Sequence, residues 1–302
     1  MSNMTLLSKE QIFGYDRLDI FKKENVKAAM TDFAILLGGF ASNSVHASSG
    51  NDLEDRTGYY WTKSSDGAGG VRAVDYDGSR ICRNPYRCHV AFRPASLYSD
   101  INQISTNVVS GSPSISEIEY GEYPQKAVTT KLNEVLEKEY CSYRLTKTEK
   151  VYTTDSRNRY DYSKAFEAQV HNEYKYNGKR YIRVKANPCI DYTKLSNGSI
   201  VSSGDYVWVE IEPIIWLVDE KTGIVVSKKL LFSGVRFDGK DKYDGDFECT
   251  EMKKFIDNYF SKEISVTNIK TVEDFTTEEE IDDYIASKLA EARKRLELLM
   301  KK

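Results

Sequence analysis

The spacing of apolar positions divides the chain into stretches that fit strands and stretches that fit helices. Ser8-Lys9-Glu10-Gln11-Ile12-Phe13 predicts a short helix, with Ser8 as its cap and Gln11 three residues on to complete a capping box. Leu18 to Lys23 continues amphipathically, and the apolar run from Ala28 to Leu37, ended by Gly38-Gly39, reads as helix or buried strand. Tyr59-Tyr60-Trp61 sets three large rings in succession. They cannot all face water, so a buried strand is predicted there. Val71 to Tyr76 is extended in character and runs into Asp77-Gly78, a dipeptide suited to a type I′ turn, which predicts a hairpin. From Ser79 to His89, cations, rings, thiols and an amide follow one another without helical or strand period, the mark of a displayed loop or edge.

The second half is read the same way. The stretch from Leu97 to Glu117, rich in Ser, Asn and Ile and containing Gly111-Ser112-Pro113-Ser114, is a connector by composition and places a domain boundary near residue 110. Lys131 to Cys141 is helical, with Leu132, Val135, Leu136 and Glu139 at helical spacing. Tyr181 to Ala186 alternates, and Tyr206 to Asp219 is a long β-rich run in which Pro213, unable to donate to a ladder, must sit at an edge, bulge or bend. Trp208 and Trp216 would share a face of an unbroken strand, whereas a bulge at Pro213 would separate them; either way they read as core. Glu220 to Gly223 turns the chain into a hairpin partner at Ile224 to Phe232.

Phe247 to Phe260 predicts one amphipathic helix that covers a sheet face with Met252, Phe255, Ile256, Tyr259 and Phe260. Thr277 and Glu280 then cap a terminal helix in which Ile281, Ile285, Leu289, Ala292, Leu296 and Leu299 recur at four and three, consistent with packing on its own domain or with self-association. The whole predicts an α+β protein in three parts: 1–110, an α+β part with an antiparallel sheet at 111–265, and a C-terminal amphipathic helix in 266–302.

Composition narrows the function classes. With 302 residues, 40% hydrophobic, 29% charged and a net charge of -3, the chain reads as globular and not as a nucleic-acid binder relying on overall positive charge. The cation and tyrosine clusters Ser156 to Tyr160 and Lys179 to Tyr181 read as solvated hairpin tips, and His46, in the polar stretch 41–57, as a solvated histidine. An excess of Tyr, 21 against 12 Phe and 3 Trp, fits recognition surfaces and β-rich cores with wet edges. Cys82, Cys88, Cys141, Cys189 and Cys249 are odd in number and lack CxxC spacing, and no apolar run suits a signal peptide or membrane span. Reduced thiols and cytoplasmic synthesis are expected; a virion component assembled inside a cell satisfies both facts equally. There is no phosphate-binding glycine loop, HExxH, EF-hand or GxSxG motif. Glu212-Pro213-Ile214 does not replace the calcium-binding lectin loops, because Ile offers no side-chain oxygen. No metal and no cofactor are expected.

From Asp66 to Ala91 there is no Lys, Glu, Gln, Met or Trp, although Lys and Glu abound elsewhere. Those are the amino acids whose codons must end in a purine, so randomising the first two bases of a pyrimidine-ended asparagine codon cannot produce them. A loop rich in Gly, Asp and Arg lacking them by chance is the alternative. The order Tyr60-Trp61-Thr62-Lys63, Asp77-Gly78, Phe92-Arg93-Pro94-Ala95 resembles the end of the C-type-lectin-like fold in its formylglycine-generating-enzyme variant. Within that group it is most similar to the variable ligand-binding proteins of diversity-generating retroelements and their bacterial and phage relatives. The resemblance spans roughly Thr31 to Ser99, with Ala91-Phe92 where small Gly-containing residues are usual. Gly121-Glu122-Tyr123-Pro124-Gln125 resembles the opening of an uncharacterised module of gut bacteria and their phages.

The resemblance implies an N-terminal lectin-like domain, on a second domain that attaches it to a larger particle, displaying Asp66 to His89 to a protein or glycan ligand on a cell surface. Tyr76, Arg80, Arg83, Asn84, Tyr86, Arg87 and His89 are the expected contacts, since Tyr and Arg carry much interface energy. No catalytic residue is expected. The alternatives are a copper-dependent oxidoreductase of the formylglycine-generating type using Cys82 and Cys88, and a phage inhibitor of a host protein.

Overall fold

The computed structural model describes residues 3–22, 25–42, 56–101, 107–112, 115–155 and 166–264. In chain order the elements are α1 (Lys9–Phe13), α2 (Asp32–Leu36), β1 (Tyr60–Ser65), β2 (Val71–Val74), β3 (Arg80–Arg83), β4 (Ala95–Leu97), α3 (Tyr98–Ile101), β5 (Asn107–Ser112) and β6 (Ile115–Ala127). There follow α4 (Thr130–Cys141), β7 (Thr146–Asp155), β8 (Ala168–Tyr176), β9 (Lys179–Lys185), β10 (Thr193–Lys194), β11 (Ile200–Val201), β12 (Tyr206–Asp219), β13 (Ile224–Ser227), α5 (Glu251–Phe255) and α6 (Ser261–Glu263). The chain is thus mixed α and β, with antiparallel sheets and few helices.

Local signals formed as read. The Ser8 hydroxyl accepts from the Gln11 N–H at 3.2 Å and the Gln11 side chain accepts from the Ser8 N–H at 2.7 Å, closing the capping box of α1. The run after Ala28 holds both of its readings: Ala29 and Met30 bridge Thr57 and Leu230, and α2 follows under a Thr31 cap. At the Lys179 to Tyr181 cluster, read as a solvated hairpin tip, Lys179 meets Glu210 at 2.6 Å, while Arg180 pairs with Glu122 and Tyr181 is buried.

β12 orders the main sheet. β6 runs along one of its edges, while β9 takes the first half of the other edge and β13 the last. The strands follow the order β4-β13-β12-β9-β8-β7, with β5 outside β6. Pro213 sits where the register with β6 shifts, between Pro213 and Ile215 and again between Glu210 and Ile211. The Gln125 amide serves this irregular segment, donating to the carbonyls of Glu212 at 3.0 Å and Pro213 at 2.7 Å. The irregularity separates the two tryptophans. Trp208 packs under α4 with Val128, Leu136 and Tyr181, whereas Trp216 joins the main core. Each indole N–H finds an acceptor, Glu137 at 3.0 Å for Trp208 and the Tyr120 carbonyl at 2.8 Å for Trp216.

The segment from Ala91 to Leu97 ties a smaller sheet, β1-β2-β3, to the large one. Ala91 donates to Tyr59 at 2.8 Å and accepts from Trp61 at 3.1 Å, Phe92 bridges Phe232, and β4 pairs with β13. Arg93 lies buried between them. Its Nε donates to the Ser227 carbonyl at 3.0 Å, and its Nη1 to the Asn25 carbonyl at 2.7 Å and the Tyr60 hydroxyl at 3.2 Å. The guanidinium lies over the rings of Phe21 and Tyr60, so carbonyl dipoles and π faces hold its charge.

A buried carboxylate reaches further along the chain. Asp32 Oδ1 accepts from Arg56 Nη1 at 2.5 Å and the Ser196 N–H at 2.8 Å; Oδ2 accepts from the Ala127 N–H at 2.8 Å and the Ser196 hydroxyl. Residues 1–110 and 111–265, expected as separate domains, therefore share one core, and Met1–Ser265 packs as a single unit distinct from Val266–Lys302. Composition misled at the boundary because β5, inside the expected connector, adds to the sheet beside β6.

The helix predicted over Phe247 to Phe260 is interrupted. A 3-10 turn at Phe247–Cys249 precedes Thr250, which caps α5, and a π-helical segment at Ile256–Phe260 leads into α6. Met252, Phe255, Ile256 and Phe260 are buried as expected. Glu263 is buried too: Oε1 accepts from the Thr153 N–H at 2.6 Å, while Oε2 and the nearby Tyr123 hydroxyl have no partner. The terminal helix expected from Thr276 to Leu299, His46 and the Ser156 to Tyr160 cluster lie outside the described residues. Among the described residues no helix is long and apolar enough to cross a membrane.

Two outcomes follow for stability. Asp32→Ala leaves Arg56 and the N–H groups of Ala127 and Ser196 without their acceptor, and should lower the free energy of unfolding by about 3 kcal/mol in urea titration. A loss below about 1 kcal/mol would mean that water replaces the carboxylate. Burial raises the Glu263 carboxyl to about 7, against the Thr153 hydrogen bonds and the Lys150 charge. Its folded-state value lies above the unfolded one, so its contribution is complete below the ordinary carboxylate value and lost as pH rises through about 7. Relative to Glu263→Gln, the wild type should lose about 3 kcal/mol between about pH 4 and about pH 8, whereas parallel profiles would show a solvated carboxylate. His171 acts in the opposite sense: burial lowers it to about 4, so its contribution is present at neutral pH and lost in acid.

Candidate functional site

β2 and β3 form the predicted hairpin, in register from Val71 opposite Arg83 to Val74 opposite Arg80. Its connection differs from the two-residue mirror-image turn. Asp75 N–H donates to the Ser79 carbonyl at 2.8 Å and Gly78 N–H to the Asp75 carbonyl at 2.9 Å. Of Asp77 and Gly78, only Gly78 has positive φ, at +87°. This is a three-residue connection in which a turn precedes one left-handed residue. The aspartates cap it locally, Asp75 accepting from the Tyr76 N–H at 2.7 Å and Asp77 from the Ser79 N–H at 2.8 Å.

Beyond β3 the loop is anchored through main-chain carbonyls. Pro85 accepts from the N–H groups of Phe237 at 2.8 Å and Asp238 at 3.1 Å, Cys88 from Gly234 at 2.9 Å, and His89 from Phe40 at 3.1 Å. Side chains are left to project. Tyr76, Arg80, Asn84 and Arg87 are exposed, while Arg83, Tyr86 and His89 are half-buried.

The expected contact residues fall into three groups. Tyr76, Arg83 and His89 gather round Tyr59, which stacks on Phe40 with centroids 4.9 Å apart and planes at 25°. Tyr76 meets Tyr59 edge-on at 5.8 Å, His89 at 6.1 Å, and the Arg83 guanidinium lies 5.1 Å from the Tyr59 centroid. Asn84 and Arg87 form a second group around Tyr86, the Asn84 amide donating to its hydroxyl at 2.6 Å and Arg87 lying 5.9 Å from its ring. Arg80 stands apart over Phe13, at 5.7 Å. Burial, and then the Asp75 charge, raises the Tyr59 phenol, while Arg83 pulls it down. Desolvation raises Asp75.

Tyr59 and Phe40 were not among the expected contacts. Strand alternation sets Tyr59 and Trp61 opposite Tyr60; Phe237 then covers Trp61 at 5.2 Å, leaving Tyr59 half-exposed. That signal was present in the triple ring. No local pattern brings Phe40 to it.

Charge is distributed unevenly. Arg56, Arg144, Arg180, Arg183 and Arg236 each pair with a carboxylate. Among the described residues Arg72, Arg80, Arg83 and Arg87 form no ion pair, although Asp66, Asp75 and Asp77 are close in sequence, because those aspartates accept from loop N–H groups.

The Cys82 thiol donates to Asp66 Oδ2 at 2.7 Å, and burial together with that carboxylate pushes it up to about 11. Asp66 is lowered, first by the same bond and then by the N–H groups of Ala68 and Gly70. Gly70 permits the arrangement, since a Cβ there would stand 2.5 Å from Asp66 Oδ2. A protonated thiol is the reverse of what a nucleophile or a copper ligand needs. No disulfide joins Cys82 and Cys88, and among the described residues no group of three or more His, Cys, Asp or Glu side chains could hold a metal ion.

Comparison of the chain with protein-family models, curated proteins and solved structures returns no match.

At pH 8, iodoacetamide should alkylate Cys82 at least about tenfold more slowly than the exposed Cys141, as resolved by peptide mass spectrometry. Asp66→Asn should narrow the gap. Equal rates in the wild type would contradict the thiol-to-carboxylate bond.

Proposed function

We propose that this chain is a non-enzymatic ligand- or receptor-binding protein that displays a variable loop surface on a C-type-lectin-like scaffold, encoded by a phage or other mobile element. One observation carries the reading: an exposed ring, Tyr76, half-buried rings beside it, and arginines without ion pairs among the described residues stand on a hairpin and loop whose path is held by main-chain bonds. Such a surface supplies large, rigid contact area and directional charge, the ingredients of a recognition patch. Tyr76, Arg80, Arg83, Asn84, Tyr86, Arg87 and His89 are its contacts, with Tyr59 and Phe40 as the platform beneath three of them. The ligand is a protein or glycan on a cell surface, and the remainder of the chain attaches the display to a virion or similar particle. The state of Cys82 weighs against the copper-dependent alternative.

The test is a screen of the full chain on a glycan array and against a displayed random-peptide library, beside a variant in which those seven residues are permuted. The wild type should enrich a defined ligand set that the variant, with matching thermal unfolding, loses. Identical enrichment by both proteins would refute the assignment.

A further inference from the structure

The outer edge of β3 is unpaired among the described residues, because the small sheet ends there. The bond from the Asp75 N–H to the Ser79 carbonyl sets the phase of the ladder. With Ala73 opposite Ile81 and Val71 opposite Arg83, main-chain groups of Ile81 and Arg83 turn toward β2, and those of Arg80 and Cys82 turn outward. The Cys82 carbonyl accepts one long bond, 3.4 Å, from the guanidinium of its own neighbour Arg83. The edge is flanked by cations on both sides, since adjacent strand positions face opposite ways: Arg80 leans over Phe13 and Arg83 over Tyr59. An open strand edge is a template for another strand. Here like charge repels a second copy of the same edge, and it favours a segment of the opposite sign.

We infer that the β3 edge takes up an extended acidic polypeptide segment as an added strand. Main-chain bonds form to Arg80 and Cys82, and carboxylates three residues apart, which lie on opposite faces of the added strand, reach Arg80 and Arg83. The inference rests on the recognition reading above and names the chemistry of its ligand. An acidic glycan would answer the arginines but leave the outward N–H and C=O groups unused, so a peptide strand fits the edge better.

The probe is a fluorescein-labelled peptide repeating Glu-Thr-Thr, whose glutamates fall three apart and so on alternate faces, followed by anisotropy on the full chain at low salt. Its controls are the same peptide with Lys for Glu, the Glu peptide N-methylated at alternate amides, and an oligogalacturonate as the acidic glycan. The Glu peptide should bind, and the Lys peptide should bind at least about tenfold more weakly. N-methylation should cost about tenfold, since it removes main-chain bonds and leaves charge unchanged. Arg80→Glu combined with Arg83→Glu should abolish binding while thermal unfolding stays in place. The N-methylated arm uses unaltered protein, so it decides the matter even if that variant does not fold.

Equal binding of methylated and unmodified peptides overturns the added strand, as does equal binding of the Lys peptide, or absence of any binding by the Glu peptide. Preference for the oligogalacturonate overturns it in favour of a glycan ligand. In each of those cases the recognition reading still stands if the array and library screen yields ligands that depend on the seven contacts. It falls with the inference only if that screen yields none.

Discussion

Burying the Asp32 carboxylate is the constraint on which the rest of the architecture depends. A carboxylate removed from water is tolerable only when its oxygens are fully engaged, and Asp32 meets donors from Arg56, Ala127 and Ser196. These belong to segments remote in sequence, so the charge can be accommodated only when the first third of the chain has docked on the main sheet. The geometry of the surface follows. The chain leaves α2 toward Phe40 and passes from Arg56 to Tyr59, so the ion pair ties together the two segments that carry the rings of the stack. Arg93 repeats the device with opposite sign, joining Tyr60, Asn25 and Ser227.

Where structure is decided by neighbours in sequence, it was legible. The Ser8 and Gln11 box, the helix after Thr129, the strand from Tyr206 to Asp219 and the turn at Glu220 to Gly223 each rest on interactions spanning a few residues. Pro213 was legible as an irregularity, and with it the separation of the tryptophans, because a missing donor has a forced consequence. The failures share a different cause. The boundary near residue 110 was inferred from polar composition, yet β5 is held in the sheet by main-chain pairing with β6, which polar residues make as well as apolar ones. The interruption at Ile256–Phe260 leaves the apolar face of the helix nearly unchanged, so periodicity could not reveal it.

The candidate surface was half legible for the same reason. The exposure of Arg80, Asn84 and Arg87 follows from a segment that lacks any period, whereas Tyr76, read as the end of a strand, is exposed because it lies in the turn after β2. Their grouping does not follow, because it depends on which framework ring lies beneath. Phe40 reaches Tyr59 only through the docking of α2, and Cys82 reaches Asp66 only through the pairing of β2 with β3. Sequence proximity had suggested a pair of thiols; the fold instead gives one of them a carboxylate.

The way the Asn84 to Val90 loop is fastened has a wider consequence. Its anchors are the carbonyl oxygens of Pro85, Cys88 and His89, groups that every residue type carries. The route of the chain is therefore specified without reference to most of what projects from it, much as a trellis is indifferent to the plant. A scaffold of this kind suits the laboratory grafting of foreign binding sequences, since inserted residues inherit a ready-made trajectory and lose little freedom on meeting a target.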